Sequence, residues 1–182
     1  MSPARVLWRP AYIGLGSNLG DPASQLRSAF KALDELRDSG FAVCSSLYRS
    51  SPMGPSDQPD FVNAVAAVLT RLGPHDLMRE LQRIEDAHGR RRDTRQWGPR
   101  TLDLDLLVLG SVVLDEPNLH IPHPGIAERN FVLLPFAEIA PSVVVPGHGS
   151  VRRLLEKIGE AFEDKIGNNT GTRIERMESE VT

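Results

Sequence analysis

TLDLDLLV, residues 101–108, alternates with period two: Thr101, Asp103, Asp105 and Leu107 against Leu102, Leu104, Leu106 and Val108. Successive side chains of a strand point to opposite faces, so the pattern predicts a strand with one wholly apolar face. The other face carries two carboxylates. Just upstream, Arg90, Arg91, Arg92, Arg95 and Arg100 fall within eleven residues. A strand that sets two like charges together beside a group of arginines closes the fold and also marks where chemistry belongs.

Working back from that strand, Pro74 opens a helix with Leu77, Leu81 and Ile84 on its core face and Gly89 as its stop. FVNAVAAVLT (61–70) reads as a mostly apolar, central strand. SSPMGPSDQPD (50–60) is a proline-rich loop, and FAVCSSLYRS (41–50) a strand before it. Asp21 is the N-cap and Pro22 the first residue of a helix with Leu26, Ala29, Phe30, Leu33 and Leu36 at helical spacing, ended by Gly40. AYIGLGSN (11–18) begins as an apolar strand. The order β-α-β-β-α-β is that of a ferredoxin-like α+β sandwich, a mostly antiparallel sheet with flanking helices packed on one face.

Downstream, a turn at 109–111 leads to a short strand at 112–114, and prolines mark 115–130 as a loop. From about Glu163 the chain is polar and reads as a weakly attached tail. The expected organisation is one domain over 1–162 and a tail over 163–182.

The 182 residues suffice for one domain with a real core. A net charge of −3 supplies no basic field for nucleic acid. No apolar run approaches the ~20 residues of a membrane span, and the first ten residues lack a signal-peptide core, so a cytoplasmic location is expected. Cys44 is the only cysteine, which excludes an intrachain disulfide and a cysteine-held zinc and leaves a small buried apolar residue.

GLGSNLG places Gly14, Gly16 and Gly20 one residue too far apart for the dinucleotide fingerprint. It is either a tight strand-to-helix turn or a point of close approach to a substrate. Asp103 and Asp105, at i and i+2, lie about 6.5–7 Å apart at Cα. They form either a solvated strand face or a pair able to bridge metal ions ~3.5–4 Å apart. Mg²⁺ suits two carboxylates completed by waters and phosphates. Arginine forks grip phosphate oxygens, so a nucleotide triphosphate site is favoured. The arginine-rich loop, with Trp97, Gly98 and Pro99, is a candidate lid. Phe61 and Asn63 share a strand face and could stack on and hydrogen-bond to a flat heterocycle; for Phe61 core packing is the alternative.

These residues converge. YIGLGSNLGD (12–21), SSLYRSSPMGPSDQPDFVNA (45–64), QRIEDAHGR (82–90), WGPRTLDLDLL (97–107) and IPHPGIAERNFVLLPFAEIAP (121–141) resemble the 6-hydroxymethyl-7,8-dihydropterin pyrophosphokinase family of folate biosynthesis. The resemblance runs from about Tyr12 to Pro146, and WGPRTLDLD is its most specific string. It implies a ferredoxin-like fold with extra elements, acting as a monomer. It implies transfer of pyrophosphate from ATP, the co-substrate, to the pterin hydroxymethyl group, with release of AMP.

By this resemblance Asp103 and Asp105 match the ligands of two Mg²⁺ ions. Phe61 and Phe131 match the aromatics around the pterin ring, Asn63 its hydrogen-bonding amide, and Ser50, Ser51 and Met53 further pterin contacts. Arg90, Arg92, Trp97 and Arg100 match a mobile catalytic loop: Arg90 and Arg100 are assigned to the transferring phosphates, Arg92 and Trp97 to closing the site. Trp97 so falls to both substrates. Gln82, Glu85, Leu106, His123 and Arg129 match positions around ATP. Gln96, Asn118 and Pro124 depart from residues that some members carry. A nucleotide hydrolase on the same site and a non-catalytic binding module are the rival readings.

Overall fold

β1 (Arg9–Ser17) runs through the middle of a six-stranded sheet, with β4 (Phe61–Thr70) on one side and β5 (Asp103–Leu109) on the other. The computed structural model describes residues 7–53, 57–90, 99–163 and 173–178. The expected second strand is two, β2 (Ser39–Cys44) and β3 (Tyr48–Ser50), which pair with successive halves of β4. The sheet order is β10-β3-β4-β1-β5, where β10 is Ile174–Arg176, with β2 also on β4, and every pairing is antiparallel. This is the ferredoxin-like arrangement that the sequence order predicts.

Helix α1 (Pro22–Asp34) starts as expected: Asp21 Oδ1 accepts the Ser24 N–H at 3.1 Å, and Pro22 takes the first turn. It ends at Glu35, five residues before Gly40. Helix α2 (Pro74–Ala87) buries Leu77, Leu81 and Ile84. Both helices and one sheet face form the main core, with Ile13, Leu15, Leu104 and Leu106 from the sheet. Each fully buried leucine contributes about 2 kcal/mol of transfer free energy. Cys44 is half-buried against this core rather than within it.

The one-face expectation is incomplete. Helices α3 (Asn130–Ile139) and α4 (Val151–Glu163) cover the other face over Val65, Leu107 and Val108. A register shift in β5 explains Val108: Tyr12 pairs with Val108 but Ile13 with Leu106, so Leu107 is the extra residue of a bulge. Beyond it the alternation changes phase, and Val108 joins Leu107 under α3 instead of sharing a face with Leu104. Among the described residues no helix is long and apolar enough to cross a membrane.

Two further readings are corrected. The region expected as a short strand and a loop is a hairpin, β6 (Leu114–Glu116) on β7 (Leu119–Ile121), turning at Pro117 and Asn118; a two-strand pair β8 (Val144–Val145) and β9 (Gly149–Ser150) precedes α4. The tail expected to be weakly attached supplies β10 (Ile174–Arg176), which pairs with β3 at the sheet edge.

Candidate active site

A cleft of about 260 Å³ opens on the sheet face that α3 and α4 leave partly uncovered. Its floor is β1, β4 and β5, whose cleft-facing residues alternate with those of the main core. Gly14 and Gly16 of GLGSNLG belong to this floor, whereas Gly20, at φ +66, makes the turn into α1. A Cβ on Gly16 would stand 3.5 Å from Asn63 Oδ1 and 4.0 Å from the Phe61 ring. Gly20 thus bears out the turn reading of that motif, while Gly14 and Gly16 keep the cleft floor low.

One end of the cleft is aromatic and amide. Phe61 and Asn63 of β4, with Ser50 opposite Phe61 on β3, line it on the far side of β1 from β5, and Ser51, Met53 and Phe131 line the same cleft. Asn63 is 5% exposed, and its Nδ2 donates to Ser50 Oγ at 2.8 Å. That bond fixes the amide and leaves Oδ1 beside Gly16 as an acceptor.

The other end is charged. Asp103 and Asp105 both line the cleft with Arg100, His123 and Arg129. Asp103 Oδ1 lies 2.7 Å from Arg90, and Oδ2 pairs with Arg100. Asp105 Oδ2 lies 3.8 Å from His123 Nε2 and 3.9 Å from Arg129. Enclosure, and next the Asp103 charge, push the Asp105 carboxyl above the usual range, while His123 and Arg129 oppose the shift. Burial lowers His123, against the pull of Asp105. The Gly125 N–H donates to His123 Nδ1 at 3.0 Å, so a neutral His123 carries its proton on Nε2, the nitrogen facing Asp105. A Cβ on Gly125 would fall 2.6 Å from Arg129 Nε; the bare glycine lets the guanidinium fold over it toward the cleft.

Arg90 is held by the end of α2. The Arg90 N–H donates to the Glu85 carbonyl at 3.1 Å and the Gly89 N–H to the Asp86 carbonyl at 3.0 Å, with Gly89 at φ +73. This is a Schellman C-terminus, which aims the chain at β5. The Arg90 side chain pairs with both Glu85 and Asp103. Glu85 is 1% exposed, and its Oε1 also accepts the Leu104 N–H at 2.7 Å. Burial pushes Glu85 up to about 7, with the Leu104 N–H and Arg90 restraining it.

Two of the residues matched to positions around ATP are buried. Glu85 is enclosed beneath Arg90, and the Leu106 side chain lies in the main core, 3% exposed. Gln82, half-buried on α2, is not among the cleft-lining residues. Arg92, Trp97 and Gln96, and with them the candidate lid, lie outside the described residues.

Sequence reasoning passed over Asn18, which is 2% exposed. Its Nδ2 donates to Gln58 Oε1 at 3.2 Å and to the Pro59 carbonyl at 3.1 Å, and its Oδ1 accepts the Arg100 N–H at 2.8 Å. It joins the β1–α1 turn, the loop before Phe61 and the approach to β5. Its place in GLGSNLG was the available signal.

The family model described as 7,8-dihydro-6-hydroxymethylpterin-pyrophosphokinase (HPPK) matches residues 12–141. The chain belongs to the HPPK family. Among relatives, the 2-amino-4-hydroxy-6-hydroxymethyldihydropteridine pyrophosphokinase of Haemophilus influenzae is 46% identical over 150 residues, covering 82% of this chain and 93% of the relative. The protein of the same name from Pseudomonas aeruginosa is 48% identical over 144 residues, 79% of this chain and 88% of the relative. Among solved structures, wild-type Plasmodium falciparum HPPK-DHPS with STZ-DHP superposes with a TM-score of 0.72 at 14% identity, over 93% of this chain and 47% of that one. This HPPK chain spans about half the length of that solved protein, and the likeness concerns the fold.

Proposed function

We propose that the chain transfers pyrophosphate from ATP to the hydroxymethyl group of 6-hydroxymethyl-7,8-dihydropterin, releasing AMP, in a Mg²⁺-dependent step of folate biosynthesis. The observation that carries the reading is the division of one cleft across β1: Phe61 and Asn63 on the β4 side, Asp103 and Asp105 on the β5 side, with Phe131, Arg100, His123 and Arg129 also lining it. A flat heterocycle and a polyphosphate are the chemistries those two ends suit.

Asp103 and Asp105 would hold two Mg²⁺ ions. Two carboxylates on one strand face give hard oxygen donors, and the small protein set suits an ion that retains waters and phosphate ligands. When bound, Mg²⁺ would neutralise phosphate charge.

Phe61 and Phe131 would stack on the pterin, and Asn63 Oδ1 would accept from its N–H groups. Arg90 and Arg100 are held on Asp103 before any phosphate arrives. That pairing offsets the repulsion between the two aspartates and stores two guanidinium groups where phosphates would take them over. The His123 Nε2–H and Arg129 are placed to donate to phosphate oxygens. The hydroxyl then attacks the β-phosphorus in line, its proton passing to solvent, while the bond from the β-phosphorus to the α–β bridging oxygen breaks and AMP leaves with that oxygen. Orientation and fixed positive charge supply the acceleration.

Product analysis tests this. With ATP, Mg²⁺ and the pterin, AMP should form only when the pterin is present. ADP, or nucleotide turnover indifferent to pterin, would refute it.

A further inference from the structure

β10 is three residues long and lies beyond the span that the family model matches. Ile174 and Met177 are only partly buried, Met177 against the main core, and hydrogen bonds supply the rest of the hold. The Ser51 N–H donates to the Arg173 carbonyl at 3.0 Å, the Arg173 N–H to Ser51 Oγ at 3.1 Å, and the Met177 N–H to the Leu47 carbonyl at 2.8 Å. Ile174 stands opposite Ser50, whose Oγ receives the Asn63 amide. The strand is thus bonded to the back of the Ser50–Ser51 wall of the cleft.

A second anchor reaches α3. Arg176 donates to Ser46 Oγ from Nε at 2.9 Å and from NH2 at 2.7 Å, and lies 3.4 Å from Glu138 Oε1. Glu138 accepts from the Ser46 N–H at 3.1 Å, Ser46 Oγ at 2.8 Å and the Tyr48 hydroxyl at 2.9 Å. Glu138 is on the helix whose first turn carries Phe131. β10 therefore grips two walls of one end of the cleft, the β3 wall directly and the α3 wall through Glu138. Without it β3 would be a bare three-residue edge.

We propose that β10 is a positioning strap for the pterin end of the cleft. It holds Ser50 and Ser51 against Asn63 and fixes α3, with Phe131, relative to them. It sets affinity for the heterocycle rather than the rate of phosphoryl transfer. This inference rests on the pyrophosphokinase reading above. A merely structural strand would, when broken, lower stability and all kinetic constants together.

The test uses the full chain. The bonds at residues 173 and 177 place the Glu175 N–H in the phase that points at β3. Glu175→Pro removes that donor, whereas Glu175→Ala keeps the ladder and loses only an exposed pair with Arg173 at 3.2 Å. Arg176→Ala cuts the second anchor. Glu175→Pro and Arg176→Ala should each raise KM for 6-hydroxymethyl-7,8-dihydropterin roughly fivefold, the weight of about one hydrogen bond. kcat and KM for ATP should stay within about twofold, and Glu175→Ala should match wild type. Hydrogen exchange at the Ser51 amide should accelerate in Glu175→Pro. Unchanged pterin KM in both variants, or a loss shared by both substrates and kcat, overturns the strap. A wild type that turns over no pterin fails the functional reading instead. Ser51 exchange then decides the strap alone: retained protection in Glu175→Pro overturns it, lost protection supports it.

Discussion

Asn18 and Arg100, 82 residues apart, exchange two hydrogen bonds: the Arg100 N–H donates to Asn18 Oδ1 at 2.8 Å, and the Asn18 N–H to the Arg100 carbonyl at 3.0 Å. The Asn18 amide also holds Gln58 and Pro59, just before Phe61. One buried side chain thus sets the distance between the residue proposed for phosphate and the residue proposed for pterin. Asn18→Ala takes their partner from the part-buried Arg100 N–H and Pro59 carbonyl, which costs about 0.5–1.5 kcal/mol by denaturant unfolding. Misplacing Arg100 should also lower kcat by roughly 10- to 100-fold. A variant with full kcat at saturating substrates would show that Asn18 only supports the fold.

Glu85 gives stability a pH dependence of defined sign. Burial raises its carboxyl from 4.5 to about 7. Between those values the folded protein keeps a proton that the unfolded chain has released. Its contribution is therefore fully present below about pH 4.5 and is lost as pH rises through about 7. At ~1.4 kcal/mol per unit the loss is on the order of 3 kcal/mol. Unfolding of wild type and Glu85→Gln compared from about pH 5 to 8 checks it: wild type should lose ground to the variant as pH rises. A difference flat in pH removes the proposed protonation.

The sequence made the β-α-β-β-α-β order legible because those elements carry long periodic patterns and clear caps, such as Asp21-Pro22 and Gly89. It also placed the two aspartates and the arginines next to them. Other features were hidden for physical reasons. Asn18 acts through bonds 40 to 82 residues away, which no local pattern encodes. The Leu107 bulge is set by pairing with β1, so alternation alone put Val108 on the wrong face. β10 is specified by a neighbouring edge and by Arg176, and its own polar sequence reads as tail. α4 was legible but passed over: Val151, Leu154, Leu155 and Ile158 fall at helical spacing and pack on the second core.

Phe61 and Phe131 should separate the two substrates. Both line the cleft, and neither takes part in the Asp103–Arg100 pair. Truncating either to alanine removes one stacking face, worth about 1–3 kcal/mol for a flat base. KM for the pterin should rise roughly 5- to 100-fold, with KM for ATP within about threefold. Equal loss for both substrates would mean that the aromatics serve the fold and not a pterin.

Asp103 and Asp105 should respond oppositely in stability and alike in activity. Asp103 binds Arg90 and Arg100, so its carboxylate is compensated within the chain. Asp105 has the His123 imidazole 3.8 Å and the Arg129 guanidinium 3.9 Å away, beside a like charge. Asp103→Asn breaks a half-buried pair and should destabilise by about 1–2 kcal/mol, discounted for solvent access. Asp105→Asn relieves repulsion and partial desolvation at a side chain that is 37% exposed, so without Mg²⁺ it should be neutral or stabilising by roughly 0.5 kcal/mol at most, after the discount for solvent access. Both should lose activity by roughly 100-fold or more, since each withdraws a charged ligand from the phosphate end. Unfolding in a chelator and turnover in Mg²⁺, measured on the same three proteins, decide it. If Asp105→Asn were the less stable variant, its carboxylate would be part of the scaffold, and the site would not be trading stability for chemistry at that position.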